Sequence, residues 1–264
     1  MKTQLLTVLL ALSLSSCAMQ APIQFDDESY LRGVADEGVN SSGPSFVDYD
    51  NDGDMDIYVS TEYHGDNQGN RLFENNGNGE FIDVAVKRGV DNKGGLGRGA
   101  SWGDYDNDGD MDVVISNMPP SDRSTHIPTS LYKNLLIETG SPNFENASRE
   151  ANLFRKNFPN DQEIGGIGNT GAGVAWADFD NDGDLDLYWK CAEYDIDNAL
   201  FRNNNDGTFT DITEESGTGI LDMVTEANSQ GSPNWTDVNQ DGLIDLLVTN
   251  EGDRKIMLLN QGDS

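Results

Sequence analysis

The sequence predicts an all-β fold assembled from four copies of one four-stranded unit, on three observations. A nine-residue aspartate run, DYDNDGDMD at Asp48–Asp56, returns at Asp104–Asp112, as DFDNDGDLD at Asp178–Asp186 and as DVNQDGLID at Asp237–Asp245. An aromatic stands two residues before each run (Phe46, Trp102, Trp176, Trp235) and a β-rich tetrad follows it (IYVS, VVIS, LYWK, LLVT), so each run is a loop between two strands. Turn-rich stretches, LFENNGNGEF at Leu72–Phe81 and LFRNNNDGTF at Leu200–Phe209, add a second hairpin behind the loop.

Within each run, oxygens fall at positions 1, 3 and 5, glycine at 6 and a carboxylate at 9, which is the opening spacing of an EF-hand calcium loop. A hard cation takes about six to eight oxygens, and alternate residues of a curled loop aim side chains at one centre while glycine allows the sharp turn. Up to four Ca2+ ions are therefore expected. In the first loop Asp48, Asp50, Asp52 and Asp56 are side-chain ligands and Asp54 gives its backbone carbonyl. The same roles fall to Asp104, Asp106, Asp108 and Asp112 with Asp110, and to Asp178, Asp180, Asp182 and Asp186 with Asp184. In the fourth loop they fall to Asp237, Asn239, Asp241 and Asp245 with Leu243, and the amide and the leucine make it the weakest site. Curling such a loop without a cation brings carboxylates within about 4–5 Å, each pair costing roughly 1–4 kcal/mol. A solvated acidic linker, the usual meaning of clustered like charge, does not place a glycine at position 6 four times between strands.

The repeat is longer than its loop. Phe25, Asp27, Arg32, Gly33 and Val34 match Phe81, Asp83, Arg88, Gly89 and Val90; Phe209, Asp211 and Gly217 keep the frame, and Phe144, Asn146 and Asn152 keep it loosely. Each repeat reads as strand, cation loop, strand, variable loop, strand, Asn/Gly turn, strand. First ligands lie 56, 74 and 59 residues apart, and four strands at such a period are propeller blades. The N-terminal stretch Phe25–Val34 reads as the last strand of a repeat, and Asn260–Ser264 aligns with Asn75–Gly79. A closed four-bladed ring is expected, with Phe25–Ser29 hydrogen-bonded to Lys255–Leu259 and all four loops on one rim; the alternative is that the chain is a fragment of a larger propeller.

Ahead of the repeats, Lys2, the apolar Leu5–Leu14 and the tetrad Leu14-Ser15-Ser16-Cys17 resemble a bacterial lipoprotein signal. Residues 1–16 are read as the signal peptide, 17–24 as a linker lipidated at Cys17, and 25–264 as the propeller domain. The expected location is the bacterial outer membrane or cell surface, with secretion the alternative, and any membrane contact is through the lipid anchor. Cys191, the only other cysteine, has no disulfide partner and reads as a small buried hydrophobe. A net charge of −31 repels polyanions and excludes nucleic acid as a partner.

The combination of LFxNNGxGxF, FxDVAxxxGV and DYDNDGDxD resembles the FG-GAP or VCBS repeats of β-propellers, and is similar to the bacterial relatives of cartilage acidic protein, without their ASPIC/UnbV domain. The resemblance covers residue 25 onward and implies calcium in each inter-strand loop. Inserts at Thr61–Asn70, Asn117–Ser130, Arg155–Thr170 and Cys191–Asn198 are candidate recognition surface, since binding residues concentrate on such loops. Tyr63, Tyr132 and Tyr194 are weighed as sugar-stacking rings against ordinary packing, and His64 and His126 as solvated loop residues. No Ser/His/Asp or HExxH pattern is present. The expected function is a non-catalytic, calcium-binding module recognising a protein in an adhesion-type contact; a lectin-like polysaccharide binder or a component of a carbohydrate-active enzyme is the alternative.

Overall fold

The computed structural model describes residues 23–62, 69–118, 127–156, 166–168, 171–191, 197–219, 231–250 and 254–262. Strands β1 (Asn40–Val47), β2 (Asp56–Glu62), β3 (Arg71–Asn75) and β4 (Phe81–Asp83) form the first antiparallel sheet in chain order. The second holds β5 (Leu96–Gly103), β6 (Asp112–Met118), β7 (Ser130–Asn134) and β8 (Phe144–Asn146). The third holds β9 (Gly171–Ala177), β10 (Asp186–Cys191), β11 (Ala199–Asn203) and β12 (Phe209–Asp211). The fourth has three strands, β13 (Pro233–Thr236), β14 (Asp245–Val248) and β15 (Ile256–Leu258).

The arrangement is propeller-like: β5 packs against both β1 and β9, and β9 against β13, so the four sheets stand side by side in chain order. The apolar core lies between blades rather than inside any one of them. On β6, Val113 and Ile115 join the cluster shared with Tyr58 and Leu72 of the first blade, while Val114 joins the cluster shared with Trp189 and Phe201 of the third. On β10, Leu187 and Trp189 face back toward the second blade, and Tyr188 faces Leu246 and Val248 of the fourth. Alternate residues of one strand thus serve two different interfaces, which is why the middle strands are apolar on both faces. Each fully buried Leu, Val or Phe among them contributes about 1.5–3 kcal/mol.

One-turn helices α1 (Ser29–Arg32), α2 (Ala85–Arg88) and α4 (Thr213–Ser216) stand in the FxDVAxxxGV frame, and α3 (Leu136–Thr139) lies between β7 and β8. All four end on a left-handed glycine. Gly89, at φ +82°, is also tied by space: a Cβ there would meet the Phe144 carbonyl oxygen of the next blade at 2.8 Å. Gly33, at φ +83°, holds the same place against Phe81 of the first blade, where a Cβ would lie 2.5 Å from the carbonyl oxygen.

That contact corrects the expected ring. Phe25–Val34 is not a strand: Asp27 accepts the Ser29 N–H at 3.0 Å, the chain turns into α1, and Gly33 and Arg32 fix it to the first blade beside Phe81 and Gly79. Among the described residues no strand pairing joins it to β15, the fourth sheet keeps three strands, and the sheets form an open arc. Cys191 forms no disulfide among the described residues and is buried in the core between the second and third blades, as expected. Tyr132 packs into the core between the first and second blades rather than offering a face to a sugar. Cys17, the signal peptide, Tyr63, His64, His126 and Tyr194 lie outside the described residues.

Candidate metal centres

Each aspartate run bridges the first and second strands of its blade, and its curl comes from two left-handed residues. Position 6 is the expected glycine, Gly53, Gly109, Gly183 and Gly242 at φ +90° to +101°. Position 4, which the spacing argument passed over, is Asn51, Asn107, Asn181 and Gln240 at φ +56° to +63°. Asparagine tolerates this conformation better than most L-residues, and its recurrence at position 4 of three of the four runs was the available signal.

Backbone N–H groups then draw the carboxylates inward. Asp48 accepts from Asp52 and Gly53 at 3.1 Å each, and Asp104, Asp178 and Asp237 repeat the pair with their own loops. Asp52 accepts from Asp54 at 2.8 Å, with the same bond at Asp108, Asp182 and Asp241. Position 9 is a structural staple as well as a candidate ligand. Asp56 takes the Tyr49 N–H at 3.4 Å on one oxygen and the Asn75 N–H at 2.8 Å on the other, fastening the loop to the third strand. Asp112, Asp186 and Asp245 make the equivalent bonds.

Position 3 is different. Asp50, Asp106 and Asp180 each bury one carboxylate oxygen with no hydrogen-bond partner, as does Asp110. A buried acceptor left bare costs about 1–3 kcal/mol and more when charged, so these oxygens call for a cation. Three oxygens come within 4.8 Å of one another from Asp48, Asp50 and Asp56, from Asp104, Asp106 and Asp108, from Asp178, Asp180 and Asp186, and from Asp108, Asp110 and Glu138. The first three groups fit a hard divalent ion, being all carboxylate at alternating positions of a curled loop. Among the described residues the fourth loop gathers no such trio; there the Asn239 amide donates to Asp241 at 2.8 Å.

Crowding shows in the proton affinities. Burial, reinforced by neighbouring carboxylates and partly offset by the backbone N–H bonds, pushes Asp56 and Asp186 up to about 7 and Asp112 up to about 8. Asp50 and Asp180 are raised by burial first and then by the acid at position 5 of their own loop. Asp110, at position 7, is pushed up to about 6 by burial, and its side chain turns away to accept the Ile137 N–H at 3.0 Å.

The second loop already holds a cation. The Lys133 ammonium pairs with Asp106, with Asp108 at 3.3 Å, and with Glu138. Burial alone would lower its affinity for the proton, but the bonds to Asp106 and Glu138 outweigh it and hold Lys133 above the ordinary lysine range. The same place is Glu74 in the first blade, Arg202 in the third and Leu259 in the fourth, so no repeat pattern announced it.

The loops are joined along one rim. Asn51 donates to the Gly109 carbonyl at 3.0 Å, Asn107 to Asp184 at 2.6 Å and Asn181 to the Gly242 carbonyl at 3.1 Å, each reaching from one loop to the next. Third-strand asparagines, also missed from sequence, reach back: Asn134 to the Tyr49 carbonyl and Asn203 to the Tyr105 carbonyl at 2.7 Å, Asn260 to the Phe179 carbonyl at 2.8 Å. The expected aromatics complete the seam, with Trp102, Trp176 and Trp235 indoles donating to Ser45, Ser101 and Ala175 of the preceding blade.

The family model for FG-GAP-like repeats matches residues 48–115 and 191–248. Cartilage acidic protein 1 of Mus musculus is 27% identical over 194 residues, covering 74% of this chain and 26% of that protein. The Homo sapiens protein of the same name is 26% identical over 201 residues, with the same coverage. This chain therefore spans about a quarter of the length of the curated relatives it matches. Among solved structures, an Agrocybe aegerita lectin described by its specific recognition of non-reducing terminal N-acetylglucosamine aligns with a TM-score of 0.47 and 19% identity, over 85% of this chain and 50% of that one. The chain carries FG-GAP-like repeats and is homologous to cartilage acidic protein 1.

Proposed function

We propose that this chain of FG-GAP-like repeats is a calcium-loaded, non-catalytic binding module, exported and held at a membrane through an acylated Cys17, whose variable loops recognise a protein ligand. The observation that carries it is the bare position-3 oxygen of Asp50, Asp106 and Asp180, repeated at the same place in three loops that are hydrogen-bonded to one another. Calcium, when bound, supplies the positive charge that Asp50 and Asp180 lack and that Lys133 already brings to Asp106. Asp48 with Asp50 and Asp56, and Asp178 with Asp180 and Asp186, would hold it. Loop 2 would hold it only by displacing Lys133, and loop 4 least well.

The acids at positions 1 and 5 are engaged by backbone N–H groups of their own loops and the position-3 carboxylates of the first and third loops are gathered with those at position 1, which favours a scaffold over an acid and base facing a substrate. A rim fixed in this way pre-organises the inserts that leave each second strand, and pre-organisation is what gives loop surfaces affinity.

Calcium titration by calorimetry, together with thermal unfolding in excess chelator and in millimolar calcium, tests the metal. At about 100-fold above its dissociation constant each site adds roughly 2.7 kcal/mol, so two filled sites raise the midpoint by several degrees. An unchanged midpoint sinks the proposal. Protein and glycan arrays probed with and without chelator test the ligand, the expected result being calcium-dependent protein capture; capture of glycans alone would replace the protein reading. Cys17→Ser should release the protein from membranes, and equal membrane association of that variant would refute the anchor.

A further inference from the structure

The geometry points to a second copy of this chain as the partner that completes the fourth blade: Phe25–Asp27 of one copy adds as an antiparallel strand to β15 of the other. In each of the three complete sheets the fourth strand is three residues long and starts with phenylalanine. Its register is constant, with Phe81 opposite Asn75, Phe144 opposite Asn134 and Phe209 opposite Asn203. Its last residue then turns the chain by accepting the N–H two residues on, as Asp83 does from Ala85, Asn146 from Ser148 and Asp211 from Thr213 at 3.0–3.1 Å. Asp27 does the same from Ser29 at 3.0 Å, and α1 follows as α2 follows β4. Phe25–Asp27 therefore has the sequence and the exit turn of a fourth strand with no third strand beside it among the described residues, and Phe25 is 93% exposed where Phe209 is 0%.

The connector decides which blade it belongs to. After β4 of the first blade, the turn through α2 seats Gly89 against Phe144 of the second. By the same rule the turn through α1, which seats Gly33 against Phe81 of the first blade, follows the fourth strand of a blade standing before it. Within one copy nothing described stands there.

The two ends of the arc offer what the three internal seams use. On the leading face Phe46 occupies the place of Trp102, Trp176 and Trp235 and is 69% exposed. On the trailing face Val238 stands where Tyr49, Tyr105 and Phe179 pack, and Met257 where Leu72, Leu131 and Leu200 are buried; they are 44% and 52% exposed. Two copies joined reciprocally would have eight blades, at the upper end of the roughly four to eight that propellers carry, and would cover both open edges. Strand addition of this kind draws its affinity from main-chain bonds and its register from the side chains. It does not rest on the calcium proposal.

The test uses the full chain in a Cys17→Ser background, with light scattering and a disulfide trap. By the register of the other blades Asp26 falls opposite Leu259, so Asp26→Cys protein mixed with Leu259→Cys protein under mild oxidation should give a cross-linked pair of copies. The unmodified chain should show about twice its 28.8 kDa mass, and Phe25→Asp, a change at an exposed residue, should return it to one copy. Longer head-to-tail series carrying the same cross-link would also support the pairing. A single-copy mass with no intermolecular cross-link overturns it, as does a cross-link formed within one copy of the doubly substituted chain.

Discussion

Replacing the asparagine at or just past the end of each third strand measures what one blade contributes to its neighbour, because the four copies sit in graded surroundings. Asn134 and Asn203 are buried, and each donates both to a carbonyl of the preceding blade and to one of its own, Met111 or Leu185. Alanine there leaves two carbonyls without a donor, one of them deep in the seam. At about 1–3 kcal/mol for a buried acceptor left bare, with less for the second, the expected loss is about 2–4 kcal/mol at either position. Asn260 reaches the Phe179 carbonyl from a half-buried position, and about 1–2 kcal/mol is expected. In the Phe25→Asp variant, which is held to one copy, Asn75 has its own-blade bond to Met55 at 3.1 Å in an exposed setting and, among the described residues, no preceding blade, and about 1 kcal/mol or less is expected. The turn N–H groups that all four side-chain oxygens accept cancel in the comparison. Urea unfolding in saturating calcium gives the four free energies from midpoint and slope. Equal costs at Asn75 and Asn134 would show that the bond across the seam contributes nothing.

Three further outcomes are expected. Lys133→Met should open the second loop to calcium, adding one binding event in calorimetry relative to the parent protein; an unchanged stoichiometry would show that the ammonium is not what limits that loop. In excess chelator, stability should fall as pH rises from about 4 to about 8. Asp56, Asp112 and Asp186 are raised in the fold to about 7, 8 and 7 from an ordinary 3.8, so the folded state holds more protons than the unfolded one across that window. Saturating calcium should flatten the slope, and a chelated protein that gains stability over the same window would contradict the assignment. Gly89→Ala should cost about 2 kcal/mol or more by thermal unfolding, since the left-handed backbone disfavours a Cβ and the Phe144 carbonyl leaves it no room; a loss below about 0.5 kcal/mol would refute the tight seat.

What the sequence disclosed well was anything decided within a few residues. The glycine at position 6, the alternating acids and the turn-rich hairpins are local solutions to local geometry, so they placed all four loops and the strand order of three sheets. What it hid depends on a neighbour in space. Asp56 and Asp112 read as ligands like the rest until the third-strand N–H groups facing them come into view. Lys133 lies 27 residues beyond Asp106 at a place where each blade has a different side chain. The N-terminal stretch carries a fourth strand's residues, yet a strand exists only where another edge accepts it, and among the described residues none pairs with it.

Because the apolar interior is distributed among the seams, the molecule behaves as a row of linked tenants rather than as one building. Each blade's stability is set by the one before and the one after, as in solenoids, so in a single copy unfolding should begin at the ends and hydrogen exchange should be slowest in β6 and β10. The same locality has a hereditary side. A repeat duplicated or deleted as a whole leaves every remaining seam with the Trp, Asn and loop contacts it already had, so a gene encoding such a row can change its length without re-solving its packing.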